Sequence, residues 1–265
     1  MHDMDTWNNT DPDRPSFLAE PMFRGGVVLL GVFGVFWSTI VCPALVTTAP
    51  LRALSARIIA DERFRPGALE GIIHRAEPSA EPSVVPPEFA QAKALTSLRL
   101  AEETGRRGSS EEANRAVDVA FNNLKSALAA APVNSFLWLL IYSVENARAG
   151  FDPQNVRYLD RSYADGPFEG WIALRRNRLS LAIFPVLSDE IQQAVISEFV
   201  GLVDSGFTDE AAENLTTVGW KQQGRLLPAL EQADLARRQS FVRRLSRDGY
   251  KVAVPGIELS DRPWR

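Results

Sequence analysis

The chain has 265 residues, 45% hydrophobic and 23% charged, with 29 basic against 33 acidic side chains and a formal net charge of −4. This balance argues against wholesale disorder and against a polytopic membrane protein, and also against a nucleic-acid partner, because neutralising phosphates takes a dominant basic field. A single cysteine, Cys42, and two histidines, His2 and His74, leave nothing from which to build an internal disulfide, a cysteine-rich metal site or a histidine triad.

Residues 1–24 begin polar, acidic and proline-containing, the pattern of a disordered tail. The next segment, 25–50, carries no charge, and Gly26 to Val46 (GVVLLGVFGVFWSTIVCPALV) is long enough as a helix to cross a hydrocarbon layer of about 30 Å. Arg24 and Arg52 bracket the uncharged run. A cleaved signal peptide would have a shorter apolar core of about 7–15 residues and a small-residue cleavage site, and Pro50 follows the best candidate site here. The expectation is therefore one uncleaved transmembrane helix with the lipid bilayer as its partner through residues 26–46. Gly34 and Ser38 form a small-xxx-small pair within it.

Residues 51–88 combine a juxtamembrane stretch bearing Arg52, Arg57, Arg63 and Arg65 with the proline-rich run EPSAEPSVVPPE at 77–88. The first part suits an amphipathic helix lying on the membrane with Leu54, Ile58 and Ile59 inward. The second suits an extended stalk, roughly 37 Å long at about 3.1 Å per residue.

From Phe89 to about residue 250 the apolar spacing is helical. Helices are expected over 90–103, 111–130, 134–149, 153–164, 167–182, 188–205, 208–217, 221–230 and 231–248. Ser109 or Ser110 is placed to cap the second of these, and Gly150, Gly166, Gly206 and Gly249 fall at helix ends. Strand signals are scarce, with alternation only over Lys251–Val254. Residues 251–265 form a C-terminal tail in which Trp264 is expected to dock back on the body.

Ala120, Leu124, Ala127 and Pro132 reproduce the second-helix spacing of a tetratricopeptide repeat, and Trp138 takes the large-residue position of the next first helix. Pro167 and Trp171 fall about one 34-residue period after Pro132 and Trp138. Tyr142 replaces the glycine that the repeat would place early in its first helix. Trp138, Trp171 and Trp220 are read as core residues. The fold class expected is all-α: one N-terminal transmembrane helix followed by a tetratricopeptide-like alpha solenoid.

The stretch 120–235, with Pro132, Asn134, Trp138, Gly166, Pro167, Arg175, Arg178 and Leu179 at its marked positions, also resembles the VpsP-type membrane-anchored proteins of bacterial polysaccharide biosynthesis. The resemblance implies a scaffold for exopolysaccharide assembly or export at the inner membrane, with a periplasmic body. The arginines after the span point the other way, to a cytoplasmic body.

No nucleotide loop, zinc spacing or nucleophile elbow is present. Asp160, Asp165, Glu169 and Asp189 suit helix-start and surface roles better than acid/base work on a sugar. No enzymatic activity, cofactor or metal is expected. The candidate binding residues are Arg175 and Arg178, three apart on one helix face and able to clamp a carboxylate, with Asn146 and Tyr142 extending the groove. The competing reading of the two arginines is ion pairing with Glu169 and Asp189. Expected partners are other membrane or envelope proteins and an anionic polysaccharide. An accessory single-pass subunit of a larger membrane enzyme complex is the alternative function.

Overall fold

Helices account for nearly every secondary-structure element in the computed structural model, and no strand occurs among the described residues. Those residues are 19–60, 62, 64, 69, 71, 73, 74, 86–167 and 169–258, without the side chains of 19–23 and 40–48. Most of the expected N-terminal tail, residues 77–85 of the expected stalk and the C-terminal residues 259–265, including Trp264, lie outside them. The chain divides into two compact units, Met1–Leu54 and Ser55–Arg265.

In the first unit the apolar run is part of one long helix, α1 (Ala19–Ile59), of 41 residues. The apolar side chains from Val27 to Trp37 project into open space all around the helix, from Val27 at 57% exposure to Leu30 at 78%. Phe33 and Trp37, one turn apart, stack at 6.1 Å. No helix is long and apolar enough to cross a membrane among the described residues. The described side chains of this run stop at Thr39, so Ile40–Val46 of the expected span fall outside them.

The second unit begins inside the last turns of α1, which corrects the expectation of a separate juxtamembrane helix on the bilayer. Ile58 and Ile59 pack against a core of Leu95, Phe136, Leu139, Tyr142, Leu159 and Ile172. An adjacent protein core satisfies the same apolar side chains that a membrane surface would otherwise have taken.

The body then runs through α2 (Pro87–Arg107), α3 (Ser110–Ala130), α4 (Ser135–Ala149), α5 (Val156–Asp165), α6 (Gly170–Ala182), α7 (Asp189–Asp204), α8 (Thr208–Thr217), α9 (Gln223–Ala229) and α10 (Leu235–Arg247). Starts and stops follow local chemistry. Pro87 occupies the first turn of α2, where its missing N–H leaves nothing unpaired. Ser109 accepts from the Glu112 N–H while the Glu112 carboxylate returns to the Ser109 N–H, a reciprocal cap on α3. Asn134, Ser188 and Asp234 cap α4, α7 and α10 through their side-chain oxygens. Gly150, Gly206 and Gly249 close α4, α7 and α10 at φ of 79°, 88° and 85°, as glycine does most cheaply. Gly166 ends α5 for a different reason: a Cβ there would sit 2.6 Å from the Ser135 Cβ.

Neighbours in sequence pack in the pairs α2 with α3, α3 with α4, α4 with α5, α6 with α7 and α7 with α8, and α4 with α6, α5 with α7 and α6 with α8 also touch, which makes the architecture helical-repeat-like. The α2–α3 pair is seamed with alanine: Ala90, Ala94 and Ala127 share one core. Small side chains let two backbones approach closely, and the tetratricopeptide-like positions Ala120, Leu124 and Ala127 are all fully buried. The C-terminal third departs from simple stacking, because α7 is met by α8, α9 and α10 together. Phe199 and Phe241 cross edge to face at 5.8 Å in its centre.

Two expectations change in this region. Lys251–Val254 does alternate, with Val252 and Val254 each 4% exposed against the largest core, but it pairs with no strand. A single extended segment meets the period-two pattern by lying on helices. Among the tryptophans, Trp138 and Trp220 are half-buried against cores, whereas Trp171 is 41% exposed and only leans on the Phe136 ring at 4.7 Å.

Candidate functional site

Helix α6 carries three arginines in four positions, and the helix turns them to different fates. Its buried stripe is Ile172, Ala173, Arg176, Asn177, Ser180 and Leu181, the i, i+1, i+4, i+5 spacing of one helix face. Arg176 thus occupies a core position and has no exposed surface. Arg175 and Arg178 point outward.

Arg176 is held by a closed set of acceptors. Its Nε and Nη2 donate to Glu198 Oε1 at 2.9 and 2.6 Å. Nη1 donates to the Ser162 carbonyl at 2.6 Å and to the hydroxyls of Ser162 and Ser135 at 3.1 and 3.2 Å. Nη2 also reaches the Gly166 carbonyl at 3.1 Å. The guanidinium lies 4.0 Å over the Tyr163 ring. The Tyr163 hydroxyl donates to the second Glu198 oxygen at 2.8 Å and sits 3.2 Å from Ser180 Oγ. Asn177 continues the network, donating to the Val195 carbonyl and accepting from Asn214. Residues of α4, α5, α6, α7 and α8 are joined in this way.

Burial pushes the Glu198 carboxyl above its ordinary value, against the pull of the Arg176 guanidinium. Burial, with the Glu198 charge adding to it, holds the Tyr163 phenol well above its own. Such perturbed groups often mark active sites, but here the donors and acceptors are consumed by one another with no opening to solvent. The arrangement fixes helix positions.

Comparison with protein-family models, curated proteins and solved structures finds no match.

The four residues singled out from sequence separate. Tyr142 is 3% exposed inside the core with Phe136 and Leu159, its phenol raised by burial against a hydrogen bond from Asn146. Asn146 is half-buried and accepts from the Asn155 side-chain amide at 3.4 Å. Arg175 donates to the Ile59 carbonyl at 2.8 Å, capping the last turn of α1, and lies 6.0 Å over the Phe136 ring. Arg178 pairs with Glu213 at 2.5 Å, with both side chains half-exposed, in place of the Glu169 and Asp189 pairings weighed from sequence. Of the four, only the two arginines are exposed.

The carboxylates named from sequence do not converge. Asp165 lies 3.6 Å from Arg161. Asp160 is raised by burial and then by the Glu190 charge. No group of three or more metal-ligating side chains occurs among the described residues. A polar cleft of about 460 Å³ opens between α3 and α4, lined by Asn114, Val117, Asp118, Glu145, Arg148 and Ala149, but Arg148 already pairs with Asp118 at 2.5 Å and covers the Phe121 ring. Sequence reasoning passed over Arg176 because a charged residue defaults to solvent. The signal that finds it is its place on the stripe of Ile172, Ala173, Ser180 and Leu181.

Proposed function

We propose that this protein is a membrane-tethered helical-repeat scaffold or adaptor for bacterial envelope polysaccharide assembly or export, with its body in the periplasm. The observation that carries the tether is the ring of bare apolar side chains on α1, where Val28, Leu29, Leu30, Val32, Phe33, Val35 and Phe36 are each 62–78% exposed. A helix apolar on every side has no stable place in water and calls for lipid. The scaffold role rests on the stacked helix pairs, whose extended surfaces suit binding of other proteins. The polysaccharide context rests on the likeness of 120–235 to the VpsP-type pattern.

The test is extraction of membranes with alkaline carbonate. The full chain stays in the pellet, and release into the supernatant would dismiss the tether. A phosphatase reporter fused after Arg265 is active for a periplasmic body and silent for a cytoplasmic one.

The second reading, an accessory single-pass subunit of a membrane enzyme complex, draws on a shallow apolar hollow on α1 lined by Val28, Gly31, Val32, Val35, Phe36 and Thr39. Partners that survive removal of residues 1–54 belong to the body and favour the scaffold. Partners lost with that segment favour the subunit.

A further inference from the structure

Beside the α3–α4 turn, α4 and α5 present a cluster that the buried network does not use. The Trp138 and Tyr158 rings stack at 6.1 Å with 19° between their planes. The Arg161 guanidinium lies 5.9 Å over Trp138 and that of Arg157 lies 4.9 Å over Tyr158, with an Arg157 Nη2 bond to the Tyr158 hydroxyl at 3.1 Å. Trp138 is fixed from behind by its indole N–H, which donates to the Pro132 carbonyl at 2.9 Å. Both arginines are exposed, and Val133 next to the turn is 70% exposed.

Among the described residues no carboxylate pairs with Arg157, and Arg161 has only Asp165 at 3.6 Å. Two guanidiniums are therefore held in place by aromatic rings, with most of their hydrogen-bonding capacity unspent. Tryptophan, tyrosine and arginine are the residues that dominate binding energy at protein interfaces, and a preset guanidinium loses little freedom when a carboxylate meets it. Each ring already carries a guanidinium over it and the other ring against it, so the cluster offers charge and ring edges more than a bare face on which a sugar would lie flat.

We propose that the Trp138–Tyr158–Arg157–Arg161 cluster, with exposed Val133 at its margin, is a docking site for an acidic peptide segment of a partner protein, whose carboxylates engage Arg157 and Arg161. This deepens the scaffold reading by naming the surface and the chemistry it selects. It does not depend on the bilayer, so detachment of the chain from membranes would sink the tether and leave this site standing.

The test is selection of a random dodecapeptide display library on the full chain in detergent micelles, followed by fluorescence anisotropy of the enriched peptides. Enriched peptides carry two or more carboxylates, and replacing those with amides weakens binding at least tenfold. Arg157→Glu with Arg161→Glu weakens it to the same degree while far-UV circular dichroism is unchanged. The milder Arg157→Gln with Arg161→Gln pair gives a smaller loss in the same direction and guards against misfolding. No enrichment, enriched peptides without acid groups, binding indifferent to either double variant, or equal competition by oligogalacturonate of matched charge would each overturn the proposal.

Discussion

Arg176 and Glu198 meet through two N–H···O bonds of 2.6 and 2.9 Å at a point where the arginine has no solvent exposure and the glutamate side chain only 4%. An ion pair so placed adds little to stability over a well-packed apolar substitute, yet breaking it leaves a charge stranded. Arg176→Met is expected to cost about 3–5 kcal/mol in urea unfolding, and Arg176→Met with Glu198→Leu to recover most of that loss and stand near the parent. A single-variant loss under about 1 kcal/mol would mean that water reaches the network after all.

The Tyr163 phenol, raised by burial, gives an alkaline signature. Its folded-state pKa lies above the unfolded value of about 10, so its contribution is complete below that pH. As pH climbs past it the unfolded chain releases the proton first, and stability falls. Tyr163→Phe is expected to flatten this decline above about pH 10, read from urea midpoints. An identical slope in the variant would place the alkaline transition elsewhere.

Two glycines predict opposite outcomes. Gly166→Ala forces a Cβ to within 2.6 and 2.7 Å of Ser135 Cβ and Oγ, next to the arginine network, and is expected to cost about 1–3 kcal/mol. Gly224→Ala in α9 meets nothing within 4 Å and is expected to stabilise by about 0.5–1 kcal/mol. Thermal melts in which Gly166→Ala is neutral would show that α4 and α5 can part without penalty.

Membrane retention is expected to fail when charge enters the α1 run. Leu30→Arg with Phe33→Arg adds about 2.5–3.5 kcal/mol per arginine against insertion at a span's centre. Carbonate extraction of this variant is expected to move the chain to the supernatant. Retention equal to the parent would show that something other than lipid holds it.

Much of the body was legible because its helices are delimited by local chemistry. The Ser109–Glu112 cap and the glycines at 150, 206 and 249 act through backbone hydrogen bonds that a few neighbouring residues decide. The alanines at 120 and 127 could be placed in a core from spacing alone. Arg176 could not, since its burial depends on acceptors from α4, α5 and α7 that are far apart in sequence. The same long-range bookkeeping hid the partners of Arg175 and Arg178, and it put Tyr142 in a core where a groove was expected. Trp171 was misplaced for the converse reason: size and helical spacing favour burial, but on its face of α6 it meets the Phe136 ring at a tilt of 60° and stays 41% exposed.

The three apolar clusters of the body are not joined evenly. Leu98, Leu140 and Tyr158 pack against both clusters of the α2–α5 region, whereas among the described residues Ile183 is the one hydrophobic side chain shared with the large C-terminal cluster. At this thin seam Arg176 adds directional bonds from a planar cation. Oil-like contact tolerates sliding, but a guanidinium with five acceptors fixes an angle. Residues of α4 and α5 are therefore held to α6 and α7 at one mutual pitch by the bonds that Arg176 makes.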